Sequence, residues 1–228
     1  MSSNVSGKAY ALTMMCPIKS GTTDNKVAFA DAIRDELESW NAMATSPMAL
    51  IPNTYLCRHY ILDDVCTQAL PGAGIWDTIS DILPMMPASW RRAALPYEDH
   101  LKSRYLVFSS NFHGQLEPYL HGMWESAQAH VRSIWQHCYG FESVSDATTF
   151  INYAKRCQLD ASLFFVGSND DSLAAQLKAL YVKQEFSRFA QETQDMPAAQ
   201  LREAYLRFMQ RVKPRDDAGL TWKAGQRA

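Results

Sequence analysis

The longest regular pattern in the chain runs from Gly114 to Cys138. Leu116, Leu120, Met123, Ala127, Val131, Ile134 and Cys138 recur there at three- and four-residue steps. Such spacing lines up one face of an amphipathic helix. That face must be buried against another layer, and the sequence just upstream supplies one. "SRYLVFSSNF" (Ser103–Phe112) is rich in aromatic and branched residues and reads as a strand. Gly140 follows the last apolar position and suits the left-handed conformation in which helices often end.

The rest of the chain repeats this alternation. "KAYALTMMCPIK" (Lys8–Lys19) reads as a strand. In the helix that follows, Val27, Ala30, Ile33, Leu37 and Trp40 share a face, with Asp24 as the expected N-cap. "TYLCRHYILDD" (Thr54–Asp64) is a second strand. Residues 65–102, broken by Pro84 and Pro87, form an expected irregular or helical insertion. After the long helix come a short helix capped near Ser145 and a fourth strand over Ala161–Gly167. Two amphipathic helices follow, at about Ser172–Glu192 and Pro197–Val212. The main elements give an α+β chain of ferredoxin-like βαββαβ order, with helices on one face of an antiparallel sheet. The expected organisation is a ferredoxin-like domain over 8–167, a helical extension over 168–214 and a flexible tail over 215–228. The strands are apolar on both faces, so the second face needs a cover. A second copy of the chain or the C-terminal helices could supply it.

Composition excludes more than it selects. The chain has 228 residues, 47% of them hydrophobic and 20% charged, with a formal charge of −2. No basic footprint for nucleic acid or an anionic membrane is present. No window has the apolar length of a membrane span, and the opening residues lack a secretory pattern. The five cysteines are unevenly spaced, without a CxxC pair. A cytoplasmic protein with reduced thiols is the simplest expectation. The fingerprints GxGxxG, GxxxxGK[ST] and GxSxG are all absent.

Three stretches, "LVFSSNFHGQLEPYL", "IWQHCYGF" and "FINYAKRCQL", resemble a mostly uncharacterised family of the dimeric α/β-barrel superfamily. The matching positions are Ser110-Asn111-Phe112, His113-Gly114 and Trp135 to Phe141, with Arg58 on the second strand. His113 stands where the family has Asp. The resemblance spans roughly residues 8–166 and implies a ferredoxin-like homodimer. The wider superfamily includes haem peroxidases, haem-degrading monooxygenases, chlorite-dismutase-like enzymes and cofactor-free oxygenases. In its haem-degrading members the axial histidine lies near the end of the second helix, where this chain has His137.

The candidate residues follow from these readings. His137 lies on the flank of the apolar stripe and is the expected axial, metal-binding and catalytic residue of a haem site. Its plain alternative is a histidine that binds the last carbonyls of a helix, where the dipole favours the imidazolium form. Arg58 and His59 are adjacent in a strand and so face opposite sides of the sheet. Arg58 would anchor a carboxylate or propionate, unless it forms a structural salt bridge. Asn111 and His113 would supply polar contacts to the cofactor, although Asn111 also suits a helix cap. His59 or His137 would be the general base of a cofactor-free enzyme acting on an apolar substrate. The functional expectation is therefore a small-molecule-binding, oxidoreductase-like protein, with haem as the candidate cofactor. A non-enzymatic protein that docks a partner on its C-terminal helices is the remaining alternative.

Overall fold

The computed structural model describes residues 3–65, 67–69, 97–99, 101–167, 170–213, 215–216 and 219–224. Its strands are β1 (Val5–Ser6), β2 (Ala9–Pro17), β3 (Thr54–Leu62), β4 (Thr67–Ala69), β5 (Tyr97–Asp99) and β6 (Tyr105–His113). Its helices are α1 (Phe29–Ala42), α2 (Leu116–Trp135), α3 (Ala147–Cys157), α4 (Leu173–Glu192) and α5 (Ala198–Val212). The main sheet is antiparallel, in the order β1-β2-β6-β3, and β4 and β5 pair separately. Of the expected insertion over 65–102, residues 66, 70–96 and 100 lie outside the described residues.

Alternation decides which side chains face the helices. Leu12, Met14 and Cys16 of β2 and Leu106, Phe108 and Phe112 of β6 are buried on one side. Against them lie Ala30 and Ile33 of α1, Leu120, Met123, Val131 and Ile134 of α2, and Phe150 and Ala154 of α3. The apolar stripe read from the sequence is thus the core face of α2. The helix bends at Ala127, whose backbone leaves the helical region (φ −136°, ψ 24°). One residue earlier, the Ser126 hydroxyl donates to the Gly122 carbonyl at 2.6 Å, and this kind of bond commonly bends helices.

The helix ends on β2. Lys19 N–H donates to the His137 carbonyl, Tyr139 N–H donates to the Pro17 carbonyl, and Ile18 pairs with Cys138. Gly140 then adopts the expected left-handed conformation, with φ 81°.

Several expectations need correction. Residues 161–167 form no strand. The outer edge of β2 is already occupied: Ala11 N–H donates to the Asn4 carbonyl and Leu159 N–H to the Thr13 carbonyl. Gln158 bridges to Met14. The buried Asn4 side chain donates to the Leu159 carbonyl and accepts from Ala161 N–H. Asn4 therefore takes backbone groups that a fourth ladder would use, and Leu163 and Phe165 are left 84% and 77% exposed. Helix α1 starts at Phe29, after a tight turn in which Thr23 and Val27 bond each other, so Asp24 is not its cap. The cap of α3 is Asp146, near Ser145 as expected, in a reciprocal pair with Thr149. Helix α2 begins after Gln115 without a side-chain cap, so Asn111 does not cap it. Beyond α5, Lys178 of α4 donates to the Leu220 carbonyl and Trp222 to Gln184, so this part of the tail lies back on α4.

Replacing Gly140 by Ala isolates the cost of the helix end. A Cβ there would meet the Tyr153 ring at an ordinary 3.7 Å, so backbone strain is the whole effect. We expect a loss of about 1 kcal/mol, read as a fall in Tm of about 3 °C in a thermal melt.

Candidate functional site

The sheet separates the five candidate residues into two groups. His59 lies on the helix side, under α1 and α2. Its ring stacks on Phe108 at 4.6 Å and meets Trp135 and Trp40 edge-on. Burial lowers its pKa to about 4, so the imidazole is neutral at physiological pH. Its Nε2 has no hydrogen-bond partner among the described residues. The residue is half-buried, and it is the Nε2 nitrogen that is withdrawn from solvent.

His137 lies beyond the end of α2, where its ring stacks on Phe29 at 4.9 Å. Burial and the nearby Lys19 both lower its pKa, which opposes the imidazolium form expected from the helix dipole. Lys19 answers the dipole instead. Its ammonium donates to the Gln136 carbonyl at 3.0 Å and pairs with Glu142 at 2.7 Å.

Arg58, Asn111 and His113 belong to the other face. In the register, Leu56 pairs with Asn111, Arg58 with Ser109, Tyr60 with Val107 and Ala9 with His113. All these side chains have the parity opposite to the core. Leu56 and Tyr60 flank Arg58 and are 54% and 48% exposed. Arg58 makes no ion pair or hydrogen bond with the described residues, so the expected salt bridge is not formed among them. A cleft of about 180 Å³ sits over this face, floored by Ala9, Leu56 and Asn111 and walled by Phe164, Val166, Asp170 and Gln176; Arg58 lies next to it and does not line it, and the Asp170 carboxylate is engaged by Lys8 N–H at 3.0 Å. Tyr55, displaced by a bulge in β3, anchors the wall by donating its hydroxyl to the Asp171 carbonyl at 2.9 Å. His113 lies two residues beyond Asn111, edge-on to Tyr55, and its Nε2 has no hydrogen-bond partner among the described residues.

This geometry suits recognition of an anion with an apolar body. A guanidinium without a partner among the described residues supplies charge and a fork of donors. Asn111 adds an amide, and the exposed Leu56 and Tyr60 add apolar contact. His137, stacked on Phe29 beyond the end of α2, and Arg58, paired with Ser109 on the other face of the sheet, are not brought together in one site. Among the described residues no group of three His, Cys, Asp or Glu side chains is placed to hold a metal ion. No helix among them is long and apolar enough to cross a membrane.

Sequence reasoning did not single out Leu56, Tyr60 or the cleft wall at Phe164, Val166 and Gln176. The parity of β3 was sufficient to place Leu56 and Tyr60 beside Arg58; the wall comes from chain more than a hundred residues away. The architecture is an α+β protein with one sheet face covered by helices and the other only partly covered among the described residues, with Ala9 and Val107 buried and Leu56 and Tyr60 exposed. No family model matches the chain, and no curated protein or solved structure is found similar to it.

The buried imidazole makes stability depend on pH. Unfolded, His59 takes up a proton near its ordinary 6.5; folded, it stays neutral to about 4. Its contribution is intact above pH 6.5 and is lost as pH falls through that window, by about 3 kcal/mol in all. Wild type should therefore lose about 2 kcal/mol more than His59→Phe between pH 7 and pH 5. Urea unfolding of both proteins at the two pH values checks this.

Proposed function

We propose that the protein binds a small, largely apolar molecule carrying an anionic group on the open face of its sheet. The observation that carries this reading is Arg58, exposed and without a charge partner among the described residues, set between the exposed Leu56 and Tyr60 beside a cleft floored by Asn111. Arg58 holds the anion, the Asn111 amide fixes its orientation, and the apolar neighbours cover the body of the ligand. A second copy of the chain covers the face and completes the enclosure. The two sheets then pack on each other as in a dimeric α/β-barrel of ferredoxin-like units. The exposure of Leu56, Tyr60, Leu163 and Phe165 supports such a partner, because a lone chain leaves these side chains in water.

A different feature favours a second reading, the docking of another protein on the C-terminal hairpin. Helices α4 and α5 are joined by Phe189 stacked on Phe208 at 5.1 Å and by the buried Glu185 paired with Arg211 at 3.0 Å. Between them runs an apolar groove of about 690 Å³, lined by Val182, Phe186, Tyr205, Phe208 and Met209. The two readings concern different surfaces and respond to different substitutions.

Two measurements test the first. Light scattering should give twice the chain mass for wild type, and the single-chain mass for Leu56→Asp with Tyr60→Asp. A single-chain mass for wild type at all concentrations would remove the second copy from the proposal. Titration with the fluorescent apolar anion anilinonaphthalene sulfonate should saturate for wild type. Binding should weaken about tenfold in Arg58→Ala, the loss of one charge-assisted contact, and partly recover in Arg58→Lys. Affinity unchanged by Arg58→Ala but lost in Phe186→Asp would move the site to the hairpin groove.

A further inference from the structure

Three of the cysteines meet behind β2, far apart in sequence. Cys16 lies on the helix side of that strand, fully buried. The two bridges that flank it, Met14 to Gln158 and Ile18 to Cys138, bring the end of α3 and the end of α2 to either side of it. Cys157 is the last residue of α3 and only part-buried, whereas Cys138 is fully buried. Cys16 belongs to the buried core and Cys157 packs against that core; the two thiols perturb each other's titration, and both are free. The Tyr153 hydroxyl reaches the same cluster without forming a hydrogen bond.

The three thiols are not equivalent. The neighbouring Cys16 thiol, the Tyr153 hydroxyl and the charge of Arg156 bring Cys157 down to about 7, against its own burial. They also outweigh the helix C-terminus, whose dipole disfavours a thiolate. Burial pushes Cys138 up to about 12 and Cys57 up to about 11. Cys16 is raised well above its ordinary value, first by Cys157 and then by burial. The cluster therefore contains one accessible thiol with thiolate character and one buried thiol beside it. That is the pairing of an attacking and a resolving cysteine.

We propose that Cys157 is an oxidation site for hydrogen peroxide and that Cys16 resolves it to a Cys16–Cys157 disulfide. In the first step the Cys157 thiolate attacks one peroxide oxygen. The O–O bond breaks, a sulfenic acid forms, and hydroxide leaves and takes up the proton released from the thiol. In the second step the Cys16 sulfur attacks the Cys157 sulfur. The S–O bond breaks, and the oxygen departs as water with the proton from Cys16. In sum two thiols lose two electrons and two protons, and one hydrogen peroxide becomes two waters. The disulfide ties the end of α3 to the end of β2, on the helix side of the sheet, so the site is separate from the Arg58 face.

The test uses the full chain, reduced, freed of reductant and exposed to hydrogen peroxide at neutral pH. Mass spectrometry of the unreduced digest should show the Cys16 and Cys157 peptides linked, with both thiols lost together. Cys157 should react at least about tenfold faster than Cys57. In Cys16→Ala, Cys157 should accumulate as a sulfenic acid that dimedone traps, and in Cys157→Ser both signals should vanish. A Cys157 that reacts no faster than Cys57, or that joins a cysteine other than Cys16, would overturn the proposal. The wild-type digest decides this even if a variant fails to fold.

Discussion

The structure depends on the pairing of β6. This strand is bonded along its whole length to β2 on one side and to β3 on the other. Because side chains alternate, one register fixes the environment of every residue in all three strands. It puts Phe108 and His59 side by side in the core and Arg58 with Ser109 on the open face. A slip of one residue would bury the guanidinium of Arg58 among Trp40, Phe108 and Trp135 without a counter-charge, and would place His59 in water. The cost of burying an unpaired charge is several kcal/mol. The neighbouring pair Arg58-His59 thus helps select the register, quite apart from any ligand.

Much of this was legible in the sequence. The stripe of α2, the three long strands, the opposite facing of Arg58 and His59 and the glycine end at Gly140 all follow from local periodicity and local backbone preference. What escaped has a different physical origin. The fourth strand was expected because "ASLFFVG" has the composition of one, but composition says nothing of whether a free edge is available. Asn4, more than 150 residues earlier, takes the groups that such a strand would use. Likewise His137 sits at a helix end as expected, but its environment is set by Lys19 and Phe29 from other elements, which its own segment does not reveal.

The candidate site divides in the same way. Arg58, Asn111 and His113 share a face because strand parity requires it, so their grouping was readable in principle once the register was known. His137 could not be separated from them by sequence, since a helical wheel gives direction about one axis and not the side of the sheet on which the helix lies.

Burial then determines which of the reactive groups retain their chemistry. On the helix side, His59 is held neutral to about 4, and Tyr119 is pushed up to about 12 by burial, although its hydroxyl meets Ser110 at 2.7 Å. Cys57 and Cys138 are likewise held as thiols. A core built from aromatic and titratable residues is therefore chemically quiet, because desolvation removes the charged form that general-base or nucleophilic chemistry requires. Reactivity survives where solvent or a specific neighbour offsets that cost: at Arg58, on the open face, and at Cys157, at the rim of the core beside Cys16. The same sheet that withdraws the His59 Nε2 from solvent leaves these two groups accessible on its opposite sides. The anion recognition and the thiol oxidation proposed for this chain thus fall on distinct surfaces of a single fold.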